Sequence, residues 1–171
     1  MSKKPILVNE EYYLKEDGTK DYFMIATEYG ENDWALVKKD MFTDFQFRDL
    51  EGNLSETFFS ADPYKYGISL VMKDRNSEKQ YRDGKGNLSE SFFVARPYSI
   101  KYKQSVPLAI VQKTKGGDLQ FRDVKGNLSE PFRFIRPYFY GYKVIKNLGD
   151  KLDYIALEDI LESIKRNTKT M

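Results

Sequence analysis

The most regularly spaced reactive side chains in this sequence are carboxylates. Asp49 and Glu56 lie in "RDLEGNLSE", Asp83 and Glu90 in "RDGKGNLSE", Asp123 and Glu130 in "RDVKGNLSE". Two carboxylates facing each other across a cleft are the equipment of a glycosidase. A carboxylate that returns once per repeated unit, however, lines a face as a row instead of converging on one point. The chain has no His and no Cys, which removes the imidazole base, the thiolate nucleophile and the usual zinc ligands together. It carries no P-loop, no GxGxxG and no GxSxG. A calcium loop starting at Asp83 also fails, because Lys85, Leu88 and Val94 stand where an oxygen ligand, a glycine and a glutamate are needed. The expectation is therefore a non-enzyme, with no catalytic residue, no metal and no cofactor.

The elements that carry these residues are repeats. Gly52, Gly86 and Gly126 are 34 and 40 residues apart, and a weaker copy is anchored on Gly18, 34 before Gly52. After each glycine turn comes an aromatic segment at constant offsets: Phe58, Ala61, Tyr64, Gly67, Ser69, Val71, and again Phe132, Ile135, Tyr138, Gly141, Lys143, Ile145. Phe23, Ala26 and Tyr29 keep the register in the first copy, as do Phe92, Ala95 and Tyr98 in the third, which then takes a loop insertion at 99–108. Runs such as "DFQFRD" and "GISLVMK" alternate with period two, placing Phe45 and Phe47 on one face and Gln46 and Arg48 on the other. Turn clusters separate these runs, so neighbouring strands are expected to pair as antiparallel hairpins.

In the repeated motif, Asp accepts backbone hydrogen bonds and the glycine supplies positive φ, which reads as a tight reversal. Leu54, Leu88 and Leu128 follow it as candidate core residues, and Arg48, Arg82 and Arg122 as partners for acids of the neighbouring repeat. Beyond residue 155 the period changes: Leu157, Ile160, Leu161 and Ile164 mark an amphipathic helix over about 156–166 that caps the array. The predicted fold is all-β, a single domain over 1–171. It comprises four antiparallel β-hairpin repeats of 34 to 40 residues (about 12–45, 46–79, 80–119 and 120–155) in a curved solenoid-like or barrel-like body.

Residues 12–155 resemble the WG (KWG) β-repeat family of bacterial proteins. The resemblance rests on the aromatic-x-Asp-x-x-Gly turn followed by Phe-x-x-Ala, as in "FRDLEGN…FSADPYKYGISLV" and "YRDGKGN…FVARPYSIKY". The Trp-Gly pair of the family is absent, since Trp34 is followed by Ala35. The resemblance implies stacked β-hairpin units and a role in binding other macromolecules. It implies no set of functional residues.

Composition narrows the setting. With 40% hydrophobic and 32% charged residues the chain reads as globular, and its 13 Tyr and 12 Phe favour strands. No apolar run approaches a signal peptide or a membrane span, and cysteine is absent, so the expected location is the cytoplasm, with no membrane partner. Charge is uneven: residues 1–62 hold 14 acidic and 7 basic side chains, residues 96–146 only 3 acidic and 11 basic. The segment "PFRFIRPYFYGYKVIK" interleaves aromatics with cations. Arg133, Phe134, Arg136, Tyr140 and Lys143, with Arg96 of the preceding copy, are the candidate binding residues. The expected function is protein binding, a basic aromatic face docking the acidic surface of another protein. The alternatives are binding of RNA, single-stranded nucleic acid or a ribonucleoprotein by the same face, and a phage- or mobile-element-encoded inhibitor of a nucleic-acid-handling enzyme.

Overall fold

Short β-branched and aromatic runs broken by glycine and Asx turns favour narrow antiparallel ribbons over long strands. The computed structural model, which describes residues 3–101 and 104–170, contains five three-stranded antiparallel sheets and one helix. The first sheet is β1 (Ile6–Val8), β2 (Tyr12–Leu14) and β3 (Lys20–Tyr22). The second is β4 (Ile25–Ala26), β5 (Ala35–Lys38) and β6 (Phe45–Arg48). The third is β7 (Ser60–Ala61), β8 (Ser69–Met72) and β9 (Lys79–Arg82). The fourth is β10 (Val94–Ala95), β11 (Ala109–Gln112) and β12 (Leu119–Arg122). The last is β13 (Phe134–Tyr138), β14 (Gly141–Ile145) and β15 (Asp153–Ile155), followed by α1 (Leu157–Lys169). Each sheet is ordered as in the sequence, and none closes into a barrel.

The predicted hairpins are the second and third strands of the middle sheets, β5–β6, β8–β9 and β11–β12. Their first strands come from the Phe-x-x-Ala segments, and at two residues they are too short to show alternation. After β6 and β12 the chain reverses at the glycine turn and runs back along the strand it has just left. Phe45 and Phe58 exchange backbone hydrogen bonds at 2.9 and 2.8 Å, as Leu119 and Phe132 do at 2.8 Å. The predicted repeat limits at 45/46, 79/80 and 119/120 fall inside β6, β9 and β12. The sequence repeat is phased on the glycine, whereas a sheet starts at the Phe-x-x-Ala segment.

The chain parts into two compact units, Met1–Leu88 and Ser89–Met171. The first holds two apolar clusters. Tyr13, Ala26, Ala35 and Val37 form one, and Leu36, Phe47, Phe58 and Val71 the other, with Phe47 packed edge-on to Phe58 and Tyr64. In the second unit one cluster joins Leu108, Ile110, Phe121, Phe132, Ile135 and Tyr142 to Ile160 and Ile164 of α1. Each fully buried Phe contributes about 1.5–3 kcal/mol relative to exposure.

The helix runs three residues past its predicted end. It lacks a side-chain N-cap, but Glu158 and Asp159 in its first turn and Arg166 and Lys169 in its last complement its dipole. Leu161, expected in the apolar stripe, faces outward, and Ser163 is buried instead. Ser163 Oγ accepts the Glu130 amide at 3.0 Å, and Asn167 Nδ2 donates to the carbonyls of Leu128 and Ser129. Leu128 is accordingly buried, whereas Leu54 of the first full copy is 42% exposed.

The repeated motif forms a clamp. Tyr29, Tyr64 and Tyr98 each donate their hydroxyl to a backbone carbonyl, that of Asp49, Asp83 and Asp123, at 2.9, 2.7 and 2.6 Å. The arginine before that Asp donates from Nη1 to the same hydroxyl: Arg48 to Tyr29, Arg82 to Tyr64 at 2.6 Å and Arg122 to Tyr98 at 2.5 Å. The Asp side chain caps its own turn, as where Asp83 Oδ1 accepts the Asn87 amide at 2.9 Å. Alternation set Arg48 on the face opposite Phe47, yet it and its counterparts Arg82 and Arg122 are buried. Aromatic rings cover them: Arg48 lies over Tyr13 at 4.8 Å, and Arg82 over Trp34 at 4.5 Å and Phe47 at 4.7 Å. Carboxylates balance the charge, Asp21 at 2.8 Å from Arg48 and Glu56 at 3.7 Å from Arg82. Burial pushes the Tyr64 and Tyr98 phenols up to about 12, against the opposing pull of Arg82 and Arg122.

The guanidinium folds back over the glycine of its own turn. A Cβ at Gly86, where φ is +88°, would lie 2.8 Å from Arg82 Nη2, whereas one at Gly116, φ +73°, would meet nothing within 4 Å. Gly86→Ala is therefore expected to cost about 2–4 kcal/mol, a strained φ plus displacement of Arg82, and Gly116→Ala only about 1–2 kcal/mol. Urea unfolding of the two variants measures the difference. The clamp also sets an alkaline limit. Unfolded tyrosines ionise near pH 10, whereas Tyr64 and Tyr98 hold their protons to about 12. Their contribution is complete below pH 10 and is lost as pH rises through 12, because only the unfolded chain releases its protons first. Urea midpoints measured from pH 8 to 12 should fall steeply above 10, and less steeply in Tyr64→Phe.

Candidate functional site

The outward side of the last sheet carries two cations among its rings. Its register pairs Phe134 with Ile145, Arg136 with Lys143 and Tyr138 with Gly141, and then Lys143 with Tyr154. With period-two alternation, Phe134, Arg136, Tyr138, Lys143, Ile145 and Tyr154 share one face. The reverse face carries Ile135, Tyr142, Val144 and Ile155 into the core with α1. One side of the sheet is thus fixed by packing and the other is presented to solvent.

On the presented side, Lys143 Nζ lies over the rings of both Tyr138, at 5.1 Å, and Tyr154, at 4.5 Å. Arg136 stacks its guanidinium against the far neighbour, 5.4 Å from the Tyr138 centroid. The two tyrosine rings are 6.1 Å apart. Exposed cation–π contacts contribute about 0.5–1 kcal/mol each, enough to order long side chains without removing their charge from water. Phe134 is 41% exposed and Tyr154 64%. Phe139 and Tyr140, edge-to-face at 4.9 Å, form the exposed turn between β13 and β14.

Of the sequence-derived candidates, Phe134, Arg136 and Lys143 are brought together on this face, and Tyr140 stands at its end. Arg133 precedes β13 and is engaged by Asp118 at 3.7 Å. Arg96 follows β10 on the fourth sheet, exposed, its amide bonded to the Ile110 carbonyl at 3.1 Å. Tyr154 was missed because its place beside Lys143 depends on pairing between β14 and β15. Tyr138 was assigned to the scaffold by its offset, but after this copy the chain enters α1 instead of another Asp-x-x-Gly turn. No clamp arginine follows, and the ring meets Arg136 and Lys143 instead.

Behind the face, the second unit has a cleft of about 560 Å³ between β14–β15 and α1, lined by Lys146, Lys151 and Arg166 and by Glu130, Asp150, Asp153 and Asp159. Within it Arg166 pairs with Glu130 at 3.3 Å, and Asp150 accepts the Asn147 amide at 3.0 Å. Tyr142, on the core side, has its phenol pushed up by burial while Ser99 and Gln104 of the insertion hydrogen-bond to it. Among the described residues no group of three or more acidic side chains is arranged to hold a metal ion, and no helix is long and apolar enough to cross a membrane. The recurring Asp49, Asp83 and Asp123 each spend their carboxylate on the Asn of their own turn. Comparison with protein-family models, with curated proteins and with solved structures yields no match.

Proposed function

We propose that the chain is a non-enzymatic protein-binding module that docks an acidic surface of its partner on the outer face of the last sheet, through Phe134, Arg136, Tyr138, Tyr140, Lys143 and Tyr154. The observation that carries this reading is the pairing of Arg136 with Lys143 and of Lys143 with Tyr154 across a sheet whose other side is core. Such a face offers rigid aromatic area with two cations already placed, the residue types in which interface energy concentrates. Protein is favoured over RNA by the position of Lys143, which covers the ring faces on which unpaired bases would stack. In the same reading the four glycine-anchored copies are units of WG type, supported by the recurrence of the Tyr–Arg–Asp clamp, and the cysteine-free chain works in the cytoplasm.

Affinity purification from the native host, with and without nuclease, is the test. The expected result is a protein retained after nuclease treatment and lost with Arg136→Glu/Lys143→Glu, whose affinity falls about 100-fold, the loss of one or two hot spots. A partner still bound by that variant would overturn the assignment of the face. Capture abolished by nuclease, with affinity falling linearly in log salt, would replace the protein by RNA.

A further inference from the structure

Arg136 and Lys143 stand directly opposite each other on β13 and β14, two cations in one antiparallel pair. Like charges in that position repel and weaken the pairing of their strands. The three middle sheets avoid the arrangement. Thr27, Asp62 and Arg96 occupy the place of Arg136 in the earlier copies, and each faces an apolar residue: their amides bond to the carbonyls of Leu36, Leu70 and Ile110 at 3.1, 3.0 and 3.1 Å. The hairpin thus folds without facing cations, and the last sheet carries them against its own stability.

No acid of the chain offsets the repulsion. Arg133 has Asp118 and Arg166 has Glu130, whereas neither Arg136 nor Lys143 is in an ion pair or a side-chain hydrogen bond among the described residues. Asp153, next to Tyr154, pairs with Val144 and lies on the reverse side, in the cleft toward α1. Rings alone hold the two cations, Tyr138 beside Arg136 and both Tyr138 and Tyr154 under Lys143. Their N–H donors therefore stay open to a group from outside.

Opposed residues of an antiparallel pair have Cα atoms about 4.5–5.5 Å apart, so one group with several oxygens reaches both side chains. A carboxylate brings a single negative charge, as does each phosphodiester of a nucleic acid. A phosphate monoester brings about 1.5–2 negative charges and three strong acceptor oxygens. It is the group that neutralises both cations at once.

We propose that Arg136 and Lys143 form the seat of a phosphate monoester on a phosphorylated side chain of the protein partner. The seat lies within the face assigned above to protein docking, and its occupant is a partner residue only if that docking holds. Phe134, 41% exposed, and Tyr154, 64% exposed, flank the seat and offer apolar contact to the residues beside the phosphate. Docking then follows the phosphorylation state of the partner.

NMR titration of the isotopically labelled full chain tests the seat, with N-acetyl-O-phosphoserine methylamide, its unphosphorylated form and its methyl phosphodiester as probes. The monoester should give saturable shifts at the Arg136 Nε–H and the Lys143 amide, and the diester a dissociation constant at least about 10-fold higher, as loss of one charged hydrogen bond does. Saturation should disappear in both Arg136→Gln and Lys143→Gln. Each variant removes one of two facing like charges, so melting temperatures should equal or exceed that of the wild type. Equal binding of the diester, or shifts spread evenly over remote cations such as Lys125 and Lys165, would overturn the seat. Phosphatase treatment of the captured partner should release it. A partner that survives phosphatase yet is lost with Arg136→Glu/Lys143→Glu overturns the phosphate and leaves the docking face standing; saturation by the monoester with no protein captured overturns the docking and not the seat.

Discussion

A charged guanidinium inside a small β protein is a constraint that the surrounding structure must satisfy. An arginine taken out of water costs several kcal/mol unless its hydrogen bonds and charge are met, and removing a partner from such a group costs about 3–5 kcal/mol. Here a tyrosine hydroxyl, aromatic rings and an acid from an earlier segment meet most of it, as Tyr29, Tyr13 and Asp21 do for Arg48, whose buried Nη2 alone is left without a hydrogen bond. The glycine turn has to reverse tightly because the guanidinium lies on it. Sheets of two- to four-residue strands, each marginal alone, are tied by these clamps to the segment before them. The conspicuous sequence motif is thereby explained as architecture, and chemistry has to be sought where copies differ.

The last copy differs most, because a helix follows its sheet where a glycine turn follows the others. Arg166, Ser163 and Asn167 of α1 bond to Glu130 and to the Leu128 and Ser129 carbonyls, groups the third glycine turn leaves facing the end of the sheets. A helix thus closes the end of this unit without supplying the arginine that holds the tyrosine of each earlier copy. Tyr138 is released to the outer face, where it joins cations that have no counterpart in the first copies. The change from glycine turn to helix and the exposure of Tyr138 beside Arg136 and Lys143 thus go together.

Period-two alternation located β6 and β8, the repeat spacing pointed to their counterparts in the other copies, and the switch to helical spacing located α1. What alternation missed is non-local. Arg48 reads as a partner for an acid of a neighbouring repeat, and its burial follows only once Tyr13, far earlier in the chain, is laid over it. The two-residue strands β4, β7 and β10 exist only through pairing with the next strand. For the basic aromatic face, composition was enough to name Arg136 and Lys143, but Tyr154 needed the β14–β15 register, and the pairing of Arg133 with Asp118 needed the approach of β12 to β13. Leu54 and Leu128 share the motif GNLSE and differ in burial, and α1 reaches the carbonyl of only the latter.

Tyr98 and Arg122 are separated by 24 residues, against 18 for Tyr64 and Arg82, yet the hydroxyl and guanidinium meet at nearly the same distance. The additional length leaves between Ser99 and Leu108, which bridge each other and so close the loop at its base. Extra chain in a loop closed at its base costs only slowly growing entropy. The clamp therefore acts as a splice junction: new sequence enters at 99–108 while the strands on either side keep their register, making this the position where a copy acquires a new loop without re-evolving its fold.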